Sequence, residues 1–235
     1  IQELRHVLKV QGMAIHPVKT RAPYLRSYGF GVEVVFDVGV GAGNPWLYRS
    51  FPHARFVLID PQETCAAQVR EKGVLDDFHF HATALGAESG QAVLKVPYSE
   101  RRREASLASL KTRTEKKVKC FIRVDDVSVP VKSLDDIAVA YPGPAGLKLE
   151  AEGGELEALQ GARETLQRCE FVIVEMSVKP RFENLGLPSA IVACLAEAGL
   201  QLRDVIHFGT GPGFGPGKKA QPKYLDVLFT RWSAN

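Results

Sequence analysis

The sequence predicts an α/β fold: a largely parallel sheet with helices on both faces, closed by two final strands. Three observations predict it. First, apolar, β-branched runs alternate with helical segments along most of the 235 residues, a pattern that favours parallel strands joined by crossover helices. Second, the run at 34–38 breaks into the alternate glycines Gly39, Gly41 and Gly43, and the next run ends in Asp60. Open α/β sheets use this strand, tight turn, helix and strand to hold an adenosine-containing ligand at their carboxyl ends. Third, two runs near 200–208 and 224–231 close the chain around a loop at 209–222 that is too rich in Gly and Pro to pack as helix or strand.

In chain order, residues 1–30 read as a short helix over 1–10, then a Gly/Pro-punctuated stretch carrying Tyr24 and Tyr28. Strands follow near 33–38, 55–60 and 78–84, with helices between them. An extra short strand is expected at 91–97, then a polar insert at 99–123 and a further alternating, β-branched strand at 118–131. A short buried strand at 146–150 leads into a helix at 154–168, a strand at 171–176 and a helix at 189–198. No repeat and no second domain is apparent, so residues 1–235 are expected to form one domain.

Composition sets outer limits. Hydrophobic content of 45% and charged content of 24% are ordinary for a globular protein, and a formal charge of +3 is too small to identify a polyanionic partner. The four cysteines, Cys65, Cys120, Cys169 and Cys194, are widely spaced and match no metal-ligand or redox motif. Buried free thiols in a reducing compartment are expected. No apolar run is long enough to span a bilayer and no signal-peptide pattern opens the chain, so the expected location is cytoplasmic with no membrane partner; the first residue is Ile, which leaves a removed leader open.

The glycine turn narrows the ligand. The dinucleotide fingerprint needs a third glycine where this chain has Asn44; Gly43 comes one residue early. Asp37 precedes the turn, and a pyrophosphate favours free N–H groups over a nearby carboxylate. S-adenosylmethionine, with an ammonium and a sulfonium, tolerates that charge. Asp37, Gly39, Gly41, Gly43, Asp60 and Pro61 are therefore the expected cofactor residues, with Asp60 accepting from ribose hydroxyls.

The segment 131–137, Val-Lys-Ser-Leu-Asp-Asp-Ile, and the segment 147–162, Leu-Lys-Leu-Glu-Ala-Glu-Gly-Gly-Glu-Leu-Glu-Ala-Leu-Gln-Gly-Ala, precede a strand ending in Glu at Val172-Ile-Val-Glu-Met176. With Ala84-Leu85-Gly86, the Ser-rich run at 105–110 and the closing Asp226-Val-Leu-Phe229, this order resembles the FkbM-type methyltransferases over most of 33–230. The chain departs from that pattern in having Glu150 where Asp is usual, and Val-Gly-Val-Gly-Ala-Gly at the first turn. The resemblance implies a class I (Rossmann-like) methyltransferase fold, α/β with a seven-stranded mostly parallel sheet, helices on both faces and a C-terminal antiparallel hairpin, and S-adenosylmethionine as donor. It also implies that Ala84 and Leu85 join the cofactor residues, and that the acceptor is most often a hydroxyl of a sugar, glycan or natural product.

Methylation of an alcohol requires alignment and removal of a proton. Glu150 and Glu175 are expected at the carboxyl ends of neighbouring strands with Glu152 just beyond, so these three are the catalytic candidates, Glu150 and Glu152 ahead of Glu175. Glu150 is also a candidate for the cofactor ammonium, Glu152 for capping the next helix, and Glu155 and Glu157 for solvated first-turn positions. Mg²⁺ is not favoured, because no His or Asn can be assigned beside the carboxylates, and no metal ligands are predicted. Among the histidines, His207 at a strand end is the best catalytic candidate, ahead of His79 and His81, which share one face of a strand.

The insert at 99–123 carries Arg101, Arg102, Arg103, Lys111, Arg113, Lys116, Lys117, Lys119 and Arg123, and the loop at 209–222 reads as a lid or a connector. The basic run supports an alternative function, methylation of RNA or another nucleic acid. No aromatic interleaves before Phe121, so a stacking platform is lacking and a solvated surface is the simpler reading. A nicotinamide-dependent oxidoreductase is opposed by Asn44, and a non-catalytic cofactor-binding protein is kept open by Glu150 in place of Asp.

Overall fold

The computed structural model describes residues 7, 10, 18–101, 103–114, 121–210 and 222–232. Most of the predicted helix at 1–10, the basic residues Arg102, Lys116, Lys117 and Lys119, and most of the loop at 209–222 lie outside the described residues.

Seven strands build the main sheet: β1 (Val34–Val38), β2 (Arg55–Ile59), β3 (His79–His81), β7 (Ala145–Leu149), β8 (Cys169–Ser177), β9 (Leu200–Thr210) and β10 (Pro222–Arg231). Their order is β3-β2-β1-β7-β8-β10-β9, and β10 runs antiparallel to both of its neighbours. The chain thus reverses direction across the sheet between β1 and β7, the switch point at which open α/β sheets leave a crevice. Every residue of β1 and β7 is buried, as central parallel strands covered on both faces require.

One face is covered by α4 (Leu134–Ala138), α5 (Glu155–Gln160), α6 (Arg163–Gln167) and α7 (Pro188–Glu197), which bury Leu134, Ile137, Leu159, Leu166, Ile191 and Leu195 against Phe36, Leu147 and Val172. The other is covered by α1 (Ala22–Arg26), α2 (Pro45–Tyr48) and α3 (Thr64–Glu71), through Leu25, Leu47 and Val69 against Val35, Leu58 and Ile173.

Several elements differ from the sequence reading. The stretch after residue 18 contains α1, because Pro23 sits in its first turn, where the missing N–H costs nothing. The expected strand at 78–84 splits, with β3 in the main sheet and β4 (Ala84–Leu85) in a second one. This second sheet has the order β4-β6-β5, from β5 (Gly90–Tyr98) and β6 (Arg123–Lys132) paired antiparallel. The helix expected at 154–168 is two helices broken at Gly161. A Cβ there would stand 2.1 Å from the Gly86 carbonyl oxygen, so backbone contact with the second sheet fixes the break.

Candidate active site

The turn after β1 is built around backbone contact. Gly39 has φ +72, and a Cβ on it would stand 1.7 Å from the Glu150 carbonyl oxygen, so only glycine allows β1 and β7 to end side by side. Gly41 has φ +54 and nothing within 4 Å of where its Cβ would be, because that position opens into a cavity. Gly43, φ +91, instead faces Val69, Tyr48 and Val74 and does not line the cavity.

The cavity has a volume of about 530 Å³ and lies at the carboxyl ends of β1, β2 and β7, well within the range of small-molecule sites. Gly39, Gly41, Asp60, Pro61, Ala84, Leu85, Glu150 and Glu152 all line it. The structure therefore brings most of the sequence-derived site residues to one place. Asp37, Gly43 and Glu175 are not on its wall.

Asp60 accepts from the backbone N–H groups of Gln62 (2.9 Å) and Gly41 (3.3 Å). Burial raises its carboxyl, and those N–H groups with the Cys65 thiol oppose the rise. Asp37 is fully buried and accepts from both Asn44 (2.9 Å) and Tyr48 (2.6 Å), with the Lys148 ammonium 3.8 Å away. Asn44, the residue that breaks the dinucleotide fingerprint, is thus the partner that lets a carboxylate sit beneath the turn. Burial raises Asp37; Lys148, Asn44 and Tyr48 hold it back.

Lys148 and Glu150 point to one face of β7, two residues apart, and pair at 2.8 Å. Burial disfavours the Lys148 charge, but Glu150 and Asp37 outweigh it and hold the ammonium above its ordinary value. Lys148 in turn holds the Glu150 carboxyl low, while 40% of the Glu150 side chain stays open to the cleft.

Glu152 sits at φ +47 and accepts from Arg113 (2.7 Å) and Arg181 (2.9 Å). Burial raises its carboxyl against the pull of those two guanidinium groups. It does not cap the helix that follows. Glu155 instead folds back onto the turn before that helix, where it accepts from the N–H groups of Ala151 and Gly153 at 3.0 and 3.1 Å and is only 3% exposed. The expectation of a solvated Glu155 is corrected: satisfying the turn's N–H groups draws it inward, and burial pushes its carboxyl up to about 7. Glu157 pairs with Lys111 at 2.6 Å. Glu175 is buried against Arg181 at 2.5 Å; burial and the charges of Glu152 and Glu150 push it up to about 8, with Arg181 opposing.

The insert supplies the second wall of the cavity. Arg103, Glu104, Ala105, Ser106 and residues 108–110 line it. The Ser109 hydroxyl donates to the Glu152 carbonyl at 2.7 Å, and Arg113 stacks on Phe182 at 4.6 Å. Lys111 and Arg113, read from sequence as part of a basic surface, are thus spent on internal pairs. Gln62 reaches the insert too: its Nε2 donates to the Ala105 carbonyl, and its Oε1 is buried with no hydrogen-bond partner among the described residues. An unsatisfied acceptor in the wall and open space above Gly41 fit a ligand carrying N–H or O–H donors, as an adenosyl group does.

The histidines separate. His79 and His81 lie on the edge strand β3, where His81 bonds the Tyr141 hydroxyl at 3.0 Å. His207 is exposed on β9, opposite Asp226. Among the described residues no group of three or more His, Cys, Asp or Glu is arranged to hold a metal ion, and Cys65, Cys169 and Cys194 are free thiols. No helix among them is long and apolar enough to cross a membrane. Sequence reasoning passed over Lys148, Arg181 and Gln62 and read Arg113 only as part of a basic surface. Lys148 was the most accessible, since alternation on a strand sets it beside Glu150.

No curated protein matches the sequence at a significant level. Weak similarities to solved structures accompany the geometry. Magnesium protoporphyrin IX methyltransferase from Synechocystis PCC 6803, crystallised with bound SAM, is 12% identical with a TM-score of 0.43, over 90% of this chain and 76% of that one. Precorrin-6y C5,15-methyltransferase from Geobacter metallireducens GS-15 is 10% identical with a TM-score of 0.45, over 93% and 90%. A TehB-like SAM-dependent methyltransferase from Corynebacterium glutamicum is 11% identical with a TM-score of 0.42, over 98% and 95%. The sequence itself matches the methyltransferase FkbM domain over residues 37–203, a span that runs from the aspartate under the glycine turn to β9. The chain belongs to the FkbM family of S-adenosylmethionine-dependent methyltransferases.

Proposed function

We propose that the protein transfers the methyl group of S-adenosylmethionine to a hydroxyl of a small-molecule acceptor, a sugar, glycan or natural product, in a reducing cytoplasm. The observation that carries this reading is the row of carboxylates, Glu150, Glu175 and Asp226, which leads across the sheet from the cavity wall at Glu150. Carboxylates accept hydrogen bonds from hydroxyls and take up their protons, which is what an oxygen nucleophile needs. Asp60, Pro61, Gly39, Gly41, Ala84, Leu85 and Gln62 would hold the cofactor, which when bound supplies an electrophilic methyl. Glu150, ionised and half open to the cleft, would orient the donor or the acceptor. Glu152 and Glu175 are each locked by guanidinium groups and act through position. The internal pairing of Lys111 and Arg113 removes two cations from the surface that the nucleic-acid alternative relies on.

The test is calorimetry with S-adenosylhomocysteine against NAD⁺, followed by incorporation of labelled methyl into monosaccharides, nucleotide sugars, polyols, phenols and total RNA. Micromolar binding of the first ligand only, with label in a hydroxylated small molecule, is expected. Label in RNA alone would replace this reading with the nucleic-acid one.

A further inference from the structure

Beyond the cavity wall, one row of polar side chains crosses the carboxyl end of the sheet. β7 and β8 stay in register through Leu149 and Val174, so the next step along each brings Glu150 level with Glu175. Glu175 is opposite Asp226 of β10, and Asp226 is opposite His207 of β9. Residues in one such row share a face of the sheet, which places Asp226 on the same side as Glu150.

The three carboxylates differ in what holds them. Lys148 neutralises Glu150 at 2.8 Å, and Arg181 neutralises Glu175 at 2.5 Å. Asp226 is partly exposed and, among the described residues, has neither a hydrogen bond nor an ion pair on its carboxylate. An uncommitted carboxylate is the one able to accept a new proton.

We propose that Asp226 is the general base of the methyl transfer, the group that takes the proton of the acceptor hydroxyl. This rests on the reading of the protein as a hydroxyl methyltransferase. In the step, the acceptor oxygen bonds the methyl carbon and the C–S bond breaks with its electron pair left on sulfur. The O–H pair stays on oxygen, and the proton passes to an Asp226 carboxylate oxygen.

The surroundings suit the role. Lys148 and Glu150 face Asp226 from β7, Glu175 from β8, His207 from β9, and Tyr224 from two residues back on its own strand. Burial raises the Asp226 carboxyl to about 6; Lys148 draws it down, Glu150 adds to the rise and His207 opposes it. A carboxyl in that range is ionised at neutral pH yet more basic than an ordinary aspartate. Glu150, held low, is the poorer base.

The experiment needs no identified acceptor. Protein labelled with [¹³C]aspartate is titrated by NMR while saturated with S-adenosylhomocysteine and, separately, with S-adenosylmethionine. These ligands differ only in the methyl group and its sulfonium charge. The Asp226 resonance is identified by its loss in Asp226→Asn, or in Asp226→Glu if the first variant does not fold. If Asp226 faces the reacting centre, the sulfonium should lower its midpoint by about half a pH unit or more. Equal midpoints with the two ligands would overturn the proposal. Calorimetry on the same samples separates the failures. Absence of S-adenosylhomocysteine binding defeats the methyltransferase reading itself, whereas binding with equal midpoints defeats only the role of Asp226.

Discussion

Asp60 joins the turn after β1 to the turn after β2, with one oxygen on the Gly41 N–H and the other on the Gln62 N–H. Its replacement by Ala should weaken S-adenosylhomocysteine binding by about 1–3 kcal/mol, the cost of lost hydrogen bonds to a charged group. Calorimetry of the variant measures this, and unchanged affinity would remove Asp60 from the binding site. Glu155 offers a pH test. Its carboxyl is raised to about 7 in the folded protein from an ordinary value of 4.5, so between those limits the native state holds more proton than the unfolded chain. Stability linked to this group therefore falls as pH rises from about 5 to 7. Wild-type protein should lose more stability than Glu155→Gln over that window, by on the order of 1–3 kcal/mol; parallel slopes in urea titrations at the two pH values would contradict it. Gly39, Gly41, Asp60 and Glu150 were legible because each ends a strand or turns a loop, whereas Ala84 and Leu85 came from the family resemblance and Gln62 and the wall at 103–110 were not foreseen. The burial of Glu155 was not legible, because a carboxylate in a helix's first turn is ordinarily solvated and only the path of the preceding turn brings the Ala151 and Gly153 N–H groups to it.

The turn after β1 separates structure from binding within three residues. At Gly39 a methyl group would meet the Glu150 backbone, whereas at Gly41 it would meet only the cavity. Gly39→Ala should fail to fold stably. Gly41→Ala should lose only about 1–2 kcal/mol for a left-handed residue yet bind S-adenosylhomocysteine at least about tenfold more weakly, a loss of about 1.4 kcal/mol. Urea midpoints and calorimetry on the pair decide between this division and a purely structural turn, in which both variants would lose stability and neither would lose affinity selectively. At this scale the central strands β1, β2, β7 and β8 were readable from apolar runs, since buried parallel strands carry a strong composition signal. The second sheet was not. Its strands β5 and β6 could be seen singly, but β4 is two residues long and its pairing with β6 follows only from the chain leaving the main sheet at Thr83. The split of the helix at Gly161 was hidden for a similar reason: the glycine answers to Gly86, far away in sequence.

Across the whole molecule, the insert and the segment after β8 are clasped through Glu152, which receives Arg113 from one and Arg181 from the other. Arg113→Ala should loosen the wall at 103–110 and speed S-adenosylhomocysteine release about tenfold, with a smaller effect on the urea midpoint. Stopped-flow displacement gives the rate, and wild-type release would mean that Ser109 and Phe182 hold the wall without it. The charge run had suggested a solvated or polyanion-binding surface because sequence shows cations but not the carboxylates that fold against them. The pairing of β1 with β7 has a consequence for how the chain folds. Val38 and Leu149 are register partners, so the strand ends that frame the cavity meet only after a loop of about 110 residues has closed, an entropic cost that grows with the logarithm of loop length. The β5–β6 hairpin lies inside that loop and can form from closer neighbours, drawing its ends together first. The cavity is then among the last features to assemble, and occupancy by a ligand reports that the long closure between β1 and β7 is complete.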